Sequence, residues 1–598
     1  MRIWTGRAGS GKTTAILREI AALSEKGEGR QILLVPELNS HLMERRLAAA
    51  THNHGARTAE VLTFSRLADR VFSEVGGLAQ QMLTPAGQLL TLQEAARRVQ
   101  GGLSAWKGLA DKPELLQEAL RLIDECKTCA VAPETLFAAA EESEDAVLAE
   151  KLSDLAQILT AYERLCEESL PDPRDRLTHL RDRLAESHTL DGAAVYLDGF
   201  LGFTVQESAV VDAMLAAGVP LSAAVTCDTD YPEIFLTGCK TVQKLTRMAK
   251  HHNQTVERIE LGESKVARPA GLAALERESL LPVRTLQESA DGVRLYEAAS
   301  PFDECEHAAA YIWRKVRDEG ARCRDFVVAA RDIEPYSAFL AMAMARYDIP
   351  VFLAEKPDLL SRPPMALVTN ALEAVRNYFR YEDLFSCLKT GLAGLDWDEI
   401  DKLENYVLTW NIRGGAWERE WTEHPDGYGL SIDENAKAQL AELNTLRKRA
   451  IAPFSALREA LAGEQPAGDC VRALYAFLLA VDAPQRMIDR AARHEQAGRL
   501  QLADEYRQLW EILVSAMEQF AWVCGDMPLT LDRFAQLFRL VLGEYDVGTI
   551  PVSLDRVTCG NIERACTENA KYVILLGVND GLIPKTPSST SLLSDMDR

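Results

Sequence analysis

Short apolar runs and longer amphipathic segments alternate along the first half of the chain. The runs are uninterrupted, as in buried parallel strands, and the amphipathic segments repeat apolar residues every three or four positions, as in helices. The apolar runs are residues 2–5, 31–35, 61–64, 193–198 and 221–227. Helical periodicity follows the first run and fills residues 84–187. The pattern predicts an α/β sheet interrupted by a helical insertion.

The second half repeats this arrangement after a polar, irregular stretch at residues 252–292, which we interpret as a connection. Predicted strands lie at 293–296, 325–330, 350–353, 555–559 and 571–577, the last two as a pair, with helices at 302–318 and 334–346 and through 363–547. The fold class is therefore predicted to be α/β, with two parallel-sheet cores that each carry a mostly helical insertion. The predicted limits are 1–83 and 191–285 for the first core, 84–190 for its insertion, 286–362 and 548–598 for the second core, and 363–547 for its insertion.

Composition narrows the class of protein. The 598 residues exceed what one hydrophobic core normally serves, and no stretch approaches the roughly 18–20 consecutive apolar residues of a membrane span. Twelve scattered cysteines lack the density of a disulfide scaffold, so we expect a cytoplasmic protein without a membrane partner. The net charge of −23 argues against bulk attraction to nucleic acid but permits a local basic channel.

A glycine-rich loop directly follows the first apolar run. Residues 6–13 fit the phosphate-binding pattern G-x-x-x-x-G-K-[ST] in full: Gly6, Arg7, Ala8, Gly9, Ser10, Gly11, Lys12 and Thr13. Glycines let backbone N–H groups turn toward phosphates, while Lys12 is expected to reach the β and γ phosphates and Thr13 to ligate Mg²⁺. The loop predicts binding of a nucleoside triphosphate, with ATP and Mg²⁺ as the expected cofactors.

A nucleotide site of this kind also needs an acidic residue at the end of a neighbouring strand. Asp198 follows the apolar run at 193–197 and is expected to hold Mg²⁺, the alternative being an ordinary strand end. The next residue is Gly199, where a motor ATPase usually places a catalytic glutamate, and Glu207 lies too far along to be assumed a substitute. Binding is therefore better supported than fast hydrolysis, and no catalytic residue is assigned.

Further segments resemble superfamily 1 helicases, whose plan is two RecA-like P-loop cores with helical insertions. Thr63, Phe64 and Arg66 stand in a segment similar to the one that lies against single-stranded DNA in those enzymes, which implies DNA contacts there. Residues 325–331 resemble the second-core motif whose arginine reaches the γ-phosphate, which implies that role for Arg331. The residues alone leave Phe64 open as a core aromatic and Arg331 as a strand-end arginine in an ion pair.

Departures from that superfamily indicate a helicase scaffold without a working motor. Gly199 replaces the catalytic glutamate, and Cys227-Asp228-Thr229-Asp230 stands where a motor has Gly-Asp-x-x-Gln. Residues 560–564 stand in place of a His-Ser-x-Lys-Gly-like element.

The chain is similar over its whole length to the AddB family, the B subunits of the bacterial AddAB helicase–nuclease. The stretches that carry this resemblance are residues 6–13, 34–37, 43–45, 196–200, 203–207, 389–392, 403–407 and 577–581. One departure is Leu38, where the family tends to have glutamine.

The resemblance implies an ATP-binding subunit that pairs with an AddA-type motor in double-strand break processing. It implies binding to double- and single-stranded DNA, with the helicase cores scanning single strand for a recombination hotspot sequence. The family also carries a C-terminal nuclease domain and an iron–sulfur cluster, and the sequence displays residues for neither. We therefore expect this chain to be the N-terminal part of a longer protein.

The sequence is also compatible with two other functions. A free-standing superfamily 1 DNA helicase would show DNA-stimulated ATPase activity from this chain alone, and Gly199 argues against it. A P-loop small-molecule kinase or signalling ATPase is usually a single α/β domain, in which the second core would have no role. Cys126 and Cys129 form a close pair without a matching second pair, so we interpret them as buried or incidental thiols rather than a metal site.

Overall fold

A computed structural model describes residues 1–51, 58–262, 266–278, 289–353, 359–545, 555–563, 570–584, 592–594 and 597. These residues form two compact units. The first comprises Met1–Met82, Leu122–Ala132 and Pro171–Ala298, and the second comprises Leu83–Arg121, Pro133–Leu170 and Ala299–Arg598. The domain limits given by the sequence stay predictions.

The first unit contains a six-stranded sheet in which every pair of neighbours is parallel. Its strands are β1 (Arg2–Gly6), β2 (Arg30–Leu34), β3 (Ala59–Leu62), β4 (Ala193–Leu197), β5 (Leu221–Thr226) and β6 (Glu257–Glu260), in the order β3-β2-β4-β5-β1-β6. The phosphate loop therefore starts from a strand inside the sheet, with β5 on one side of β1 and β6 on the other.

Alternate residues of each strand face opposite sides of this sheet, as the two-residue period of a strand requires. Ile3 and Val195 belong to the core on one face, and Trp4 and Tyr196 to the core on the other. Helices cover both faces, which explains why the strands read as unbroken apolar runs.

The helices that begin in the first half of the chain include those that cover this sheet. They are α1 (Lys12–Lys26), α2 (Ser40–Ala50), α3 (Phe64–Val75), α4 (Pro85–Val99), α5 (Pro113–Thr128), α6 (Pro133–Glu142), α7 (Ala146–Glu168), α8 (Arg176–Arg183), α9 (Val205–Ala216), α10 (Leu236–His251) and α11 (Ala270–Glu278). Helices α1 and α2 pack on one face of the sheet, and α3, α9 and α10 on the other.

The second unit holds a four-stranded parallel sheet and most of the remaining helices. Its strands are β7 (Phe326–Ala330), β8 (Val351–Leu353), β11 (Val557–Asn561) and β12 (Tyr572–Leu576), in the order β12-β7-β11-β8. Helices α12 (Pro301–Glu319) and α13 (Glu334–Arg346) pack on this sheet. The predicted α/β class with two parallel-sheet, RecA-like cores and helical insertions is confirmed.

A large helical body completes the second unit. Its helices are α14 (Pro363–Arg376), α15 (Tyr381–Leu388), α16 (Trp397–Trp410), α17 (Glu434–Ala460), α18 (Ala467–Ala480), α19 (Ala483–Gln496), α20 (Leu500–Cys524) and α21 (Leu531–Gly543). Strands β9 (Glu464–Pro466) and β10 (Pro528–Thr530) add a small antiparallel pair. Ala86 and Leu90 of α4 belong to the same hydrophobic core as these helices.

Four expectations from the sequence need correction. The stretch at 252–292 holds β6 and α11, because β6 gains backbone partners from β1. Residues 293–296 form no strand, and Leu295 is 95% exposed. Phe64 begins α3 instead of ending a strand, because the Thr63 side chain accepts a hydrogen bond from the Arg66 N–H and caps the helix. Finally, β11 and β12 are not neighbours, since β7 lies between them.

Within the described ranges, no helix is long and apolar enough to cross a membrane.

Candidate nucleotide-binding site

The phosphate loop connects β1 directly to α1. Gly6 ends β1, Gly11 is the residue before the helix, and Lys12 is the first helical residue. A β carbon on Gly6 would lie 2.5 Å from the carbonyl oxygen of Leu261 and 2.6 Å from the Ser10 hydroxyl, so only glycine fits there. The helix N-terminus points its free N–H groups into the loop, as an anion-binding site requires.

Lys12 folds back over this loop. Its Nζ atom donates hydrogen bonds to the carbonyl oxygens of Gly6 and Arg7, each at 2.8 Å. Burial lowers the pKa of the Lys12 ammonium, and the negative charge of Asp198 acts in the opposite direction. The structure thus places Asp198 close enough to Lys12 for the carboxylate charge to act on the ammonium.

Asp198 lies directly after β4, which β5 separates from the loop-bearing strand β1. Its side chain is buried, with the residue only 3% exposed, and its backbone N–H donates to the Leu34 carbonyl oxygen at 3.1 Å. Thr13 is the second residue of α1 and is half-buried. A hydroxyl and a carboxylate are oxygen donors of the kind Mg²⁺ prefers, so these two residues fit the metal of a bound nucleotide.

The Ser10 side chain adds a second observation about the loop. Its Oγ atom is fully buried and makes no hydrogen bond to any residue that the structure describes. A buried hydroxyl normally finds a partner, so the loop retains hydrogen-bonding capacity for a ligand. Ala8 and Gly9 complete the turn and are both exposed.

Gly199 has a backbone conformation that a glutamate would adopt only with strain. Its φ of +81° lies in the left-handed region. A β carbon there would lie 3.1 Å from Nδ2 of Asn39 and 3.4 Å from Cδ of Pro36. Glu207 is not available as a substitute either, because its carboxylate accepts the Thr204 N–H in the capping box of α9.

Arg7 is held by a segment that follows β5, which the sequence pattern does not assign to the site. Its Nε atom donates to the Asp228 carboxylate at 2.5 Å, and this hydrogen bond raises the pKa of the guanidinium. The guanidinium lies 4.9 Å from the ring centroid of Tyr231 and 6.0 Å from that of Phe235. The segment reaches the loop because β5 pairs with β1, with Gly6 opposite Thr226.

The residues predicted to contact DNA have different environments. Thr63 is buried and caps α3, and the Phe64 ring, 6% exposed, packs edge-on against Phe200 at 5.6 Å between centroids. In this structure Phe64 is therefore a core aromatic. Arg66 is exposed, and its guanidinium donates to Glu44 at 2.5 Å. Of the three residues, Arg66 is therefore the one exposed to solvent.

Arg331 belongs to the second unit, where it follows β7. Its guanidinium pairs with Glu563, which lies just after β11. The predicted contact of Arg331 with a γ-phosphate stays a prediction. Residue 564, the last of the 560–564 element, lies outside the described residues.

The described ranges present no group of three or more His, Cys, Asp or Glu side chains that could hold a metal ion. They therefore offer no ligand set that fits an iron–sulfur cluster. Cys126 is buried on α5 and Cys129 is exposed just beyond the end of that helix.

A scan against protein families matches residues 3–276 to the family described as "ADDB, N-terminal". These residues run from β1 through the phosphate loop and β4 to α11, so the match includes every element of the candidate site in the first unit.

Curated relatives align with the whole chain. A protein of Acetivibrio thermocellus, named as the B subunit of an ATP-dependent helicase/deoxyribonuclease, is 33% identical over 614 residues, which cover 100% of this chain and 54% of that protein. Proteins of the same name from Desulforamulus reducens and Clostridioides difficile are 32% and 30% identical to this chain. Each alignment includes 100% of this chain, and the aligned regions cover 54% and 53% of those two proteins, respectively. The chain thus spans about half the length of the curated relatives it matches.

Proposed function

We propose that the chain is the ATP-binding, non-motor subunit of a helicase–nuclease complex, because residues 3–276 match the family described as "ADDB, N-terminal" and the whole chain aligns with curated B subunits of ATP-dependent helicase/deoxyribonucleases. In this proposal the complex processes DNA double-strand breaks for recombination in the bacterial cytoplasm. The chain holds ATP with Mg²⁺ at the phosphate loop, with Thr13 and Asp198 as the ligands that the protein supplies.

The main support is the contrast between the phosphate loop and Gly199. The loop retains the lysine, the hydroxyl of Thr13 and the helix N-terminus that bind a triphosphate. Position 199 lacks the carboxylate that orients an attacking water, and a β carbon on its left-handed backbone would contact Asn39 and Pro36. The site is thereby suited to hold a nucleotide and poorly suited to hydrolyse it.

A subunit without motor activity needs a partner that moves the DNA. We propose an AddA-type motor subunit for this role, since the relatives are named as the B subunits of a helicase/deoxyribonuclease. The chain would contact single-stranded DNA through the exposed Arg66 and scan it for a hotspot sequence. Thr63 and Phe64 would support that contact from within the fold, as the cap and the first core residue of α3.

Nucleotide binding is tested by titrating the purified chain with a fluorescent ATP analogue, with and without Mg²⁺. The proposal predicts Mg²⁺-dependent binding that Lys12→Ala weakens by about 10- to 100-fold, the value of a charge-assisted hydrogen bond. The matched control is Lys26→Ala, at the other end of α1, which should leave the affinity unchanged. Equal binding by wild type and Lys12→Ala would contradict the proposed site.

A further inference from the structure

Helix α10 carries a row of positive charge on the surface of an acidic protein. Its exposed cationic residues are Lys240, Lys244, Arg247 and Lys250, with His251 at its end. No Asp or Glu occurs in the sequence between Glu233 and Glu257, although the chain as a whole has a net charge of −23. The local charge thus has the opposite sign to that of the whole chain.

The row faces outward because the other side of α10 is fixed to the sheet. Gly238, Val242 and Leu245 are buried against it. A β carbon on Gly238 would lie 2.0 Å from the carbonyl oxygen of Thr226, so the helix cannot move away without losing this close contact. Residues 240, 244, 247 and 250 are separated by four, three and three positions, so each lies about one turn from the next, and together they span about 15 Å along the axis. We call Lys240, Lys244, Arg247 and Lys250 the basic row.

Within the described ranges, no carboxylate forms an ion pair with the basic row. Lys244 donates to the Ser208 hydroxyl at 2.5 Å, a neutral partner. Of the acids on the neighbouring α9, Asp212 pairs with His252 at 2.9 Å, and Glu207 accepts the Thr204 N–H. Four cations on one exposed face without acidic partners repel each other, so an anionic ligand would lower their free energy.

We propose that the basic row binds the phosphate backbone of duplex DNA. This inference rests on the proposed function, to which it adds a surface for the double-stranded part of the substrate. Proteins that bind single strands combine cations with aromatic side chains on which bases stack. The sequence of α10 contains no Phe, Tyr or Trp, so its exposed face offers charge without stacking, which suits an intact duplex.

The test is the salt dependence of binding to a blunt duplex of about 40 base pairs, measured by fluorescence anisotropy. The variant carries Lys240→Gln, Lys244→Gln, Arg247→Gln and Lys250→Gln. Loss of four phosphate contacts should lower the slope of log K against log salt by about 3 to 4, equally for two unrelated sequences. The matched control changes four other exposed cations, with Lys107→Gln, Lys112→Gln, Arg419→Gln and Lys448→Gln, and should keep the wild-type slope.

Each outcome has a distinct meaning. An unchanged slope in the basic-row variant, with duplex binding by the wild type, would overturn this inference and leave the proposed function intact. An equal loss of single-strand affinity would overturn the assignment to duplex DNA. Absence of DNA binding by the wild type would overturn both the inference and the proposed DNA-binding role. Affinity for the ATP analogue should stay at the wild-type value in both variants, which verifies that they fold.

Discussion

The Nζ atom of Lys12 lies 2.8 Å from the carbonyl oxygen of Gly6 and donates a hydrogen bond to it. The ammonium therefore bridges the phosphate loop from its first residue to the start of α1. An incoming triphosphate would replace this neutral partner with a charged one, which strengthens the hydrogen bond. We therefore expect nucleotide binding to exchange the hydrogen bonds of Lys12 with the Gly6 and Arg7 carbonyl oxygens for contacts with phosphate.

Burial lowers the pKa of Lys12, which gives nucleotide binding a pH dependence. Phosphate attraction needs the charged ammonium, and a lowered pKa means that the charge is lost at lower pH than for a free lysine. Affinity for ATP should therefore fall as the pH rises from about 7 to about 10, with the decline starting below the ordinary lysine pKa. Fluorescence titrations across this range measure the effect. Lys12→Arg should flatten the profile, since arginine stays charged, and an identical profile in this variant would contradict the assignment.

Gly199→Glu should not create a motor site. The substitution is expected to lower the free energy of unfolding by about 1–2 kcal/mol, because a left-handed backbone is strained for any residue with a β carbon. ATP turnover should stay at the level of the wild type, since a side chain at this position would leave the backbone beside Asn39 and Pro36.

A pair of alanine variants separates the two causes of this strain. Gly218 has a similar φ of +74°, but a β carbon added there would have no atom within 4 Å, whereas one on Gly199 would face Asn39. Urea denaturation should show Gly199→Ala to be more destabilised than Gly218→Ala. Equal losses would mean that the contact with Asn39 contributes nothing.

Arg7 should matter less for nucleotide affinity than Lys12, although both lie in the phosphate loop. Its guanidinium is engaged by Asp228 and lies over the Tyr231 ring. We expect Arg7→Ala to weaken binding of the ATP analogue by less than the Lys12→Ala variant does.

In a double-mutant cycle of urea denaturation, Arg7→Ala and Asp228→Ala should show a coupling of about 1 kcal/mol, a modest value because both side chains are partly exposed. If the two substitutions had additive effects on the free energy of unfolding, the ion pair between Arg7 and Asp228 would not contribute to stability.

Local patterns were sufficient to predict most elements of the fold. The phosphate loop, β7 and α13 are defined by residues that are close in sequence, and the structure has them where the patterns indicate. Strand β6 was missed because its sequence is polar at three of four positions, Glu257, Arg258 and Glu260. Its extended form depends on pairing with β1, about 250 residues earlier, which a local pattern does not contain.

The same limit applies to the site. The phosphate loop could be predicted from the spacing of its glycines, lysine and threonine, because these residues are close together in the sequence. The contact between Arg7 and Asp228 joins residues 221 positions apart and follows only from the order of β1 and β5 in the sheet. The burial of Phe64 likewise depends on Phe200, which reaches it from the end of another strand.

Substitutions at Phe64 and Arg66 should affect different properties, the first the stability of the fold and the second the affinity for DNA. Phe64→Ala removes a buried ring and is expected to cost about 3–5 kcal/mol of the free energy of unfolding. Arg66→Gln removes an exposed charge, so it should leave stability nearly unchanged but weaken single-strand binding and lower the salt slope by about 0.7. Thermal unfolding and fluorescence anisotropy with a single-stranded oligonucleotide measure both quantities.

Glu44→Gln should have the opposite effect on single-strand affinity to that of Arg66→Gln. It removes the carboxylate that Arg66 contacts and should release the guanidinium for a phosphate, so single-strand affinity should rise. A loss of affinity in Glu44→Gln, or none in Arg66→Gln, would contradict a role for Arg66 in DNA binding.

We infer that this chain binds ATP without acting as a motor. The most direct measurement is ATP hydrolysis by the purified chain, with and without single-stranded DNA, alongside nucleotide binding and the Lys12→Ala variant. We expect clear binding that Lys12→Ala weakens, and no DNA-stimulated turnover above that variant. Brisk DNA-stimulated turnover that Lys12→Ala abolishes would instead identify the chain as a working helicase.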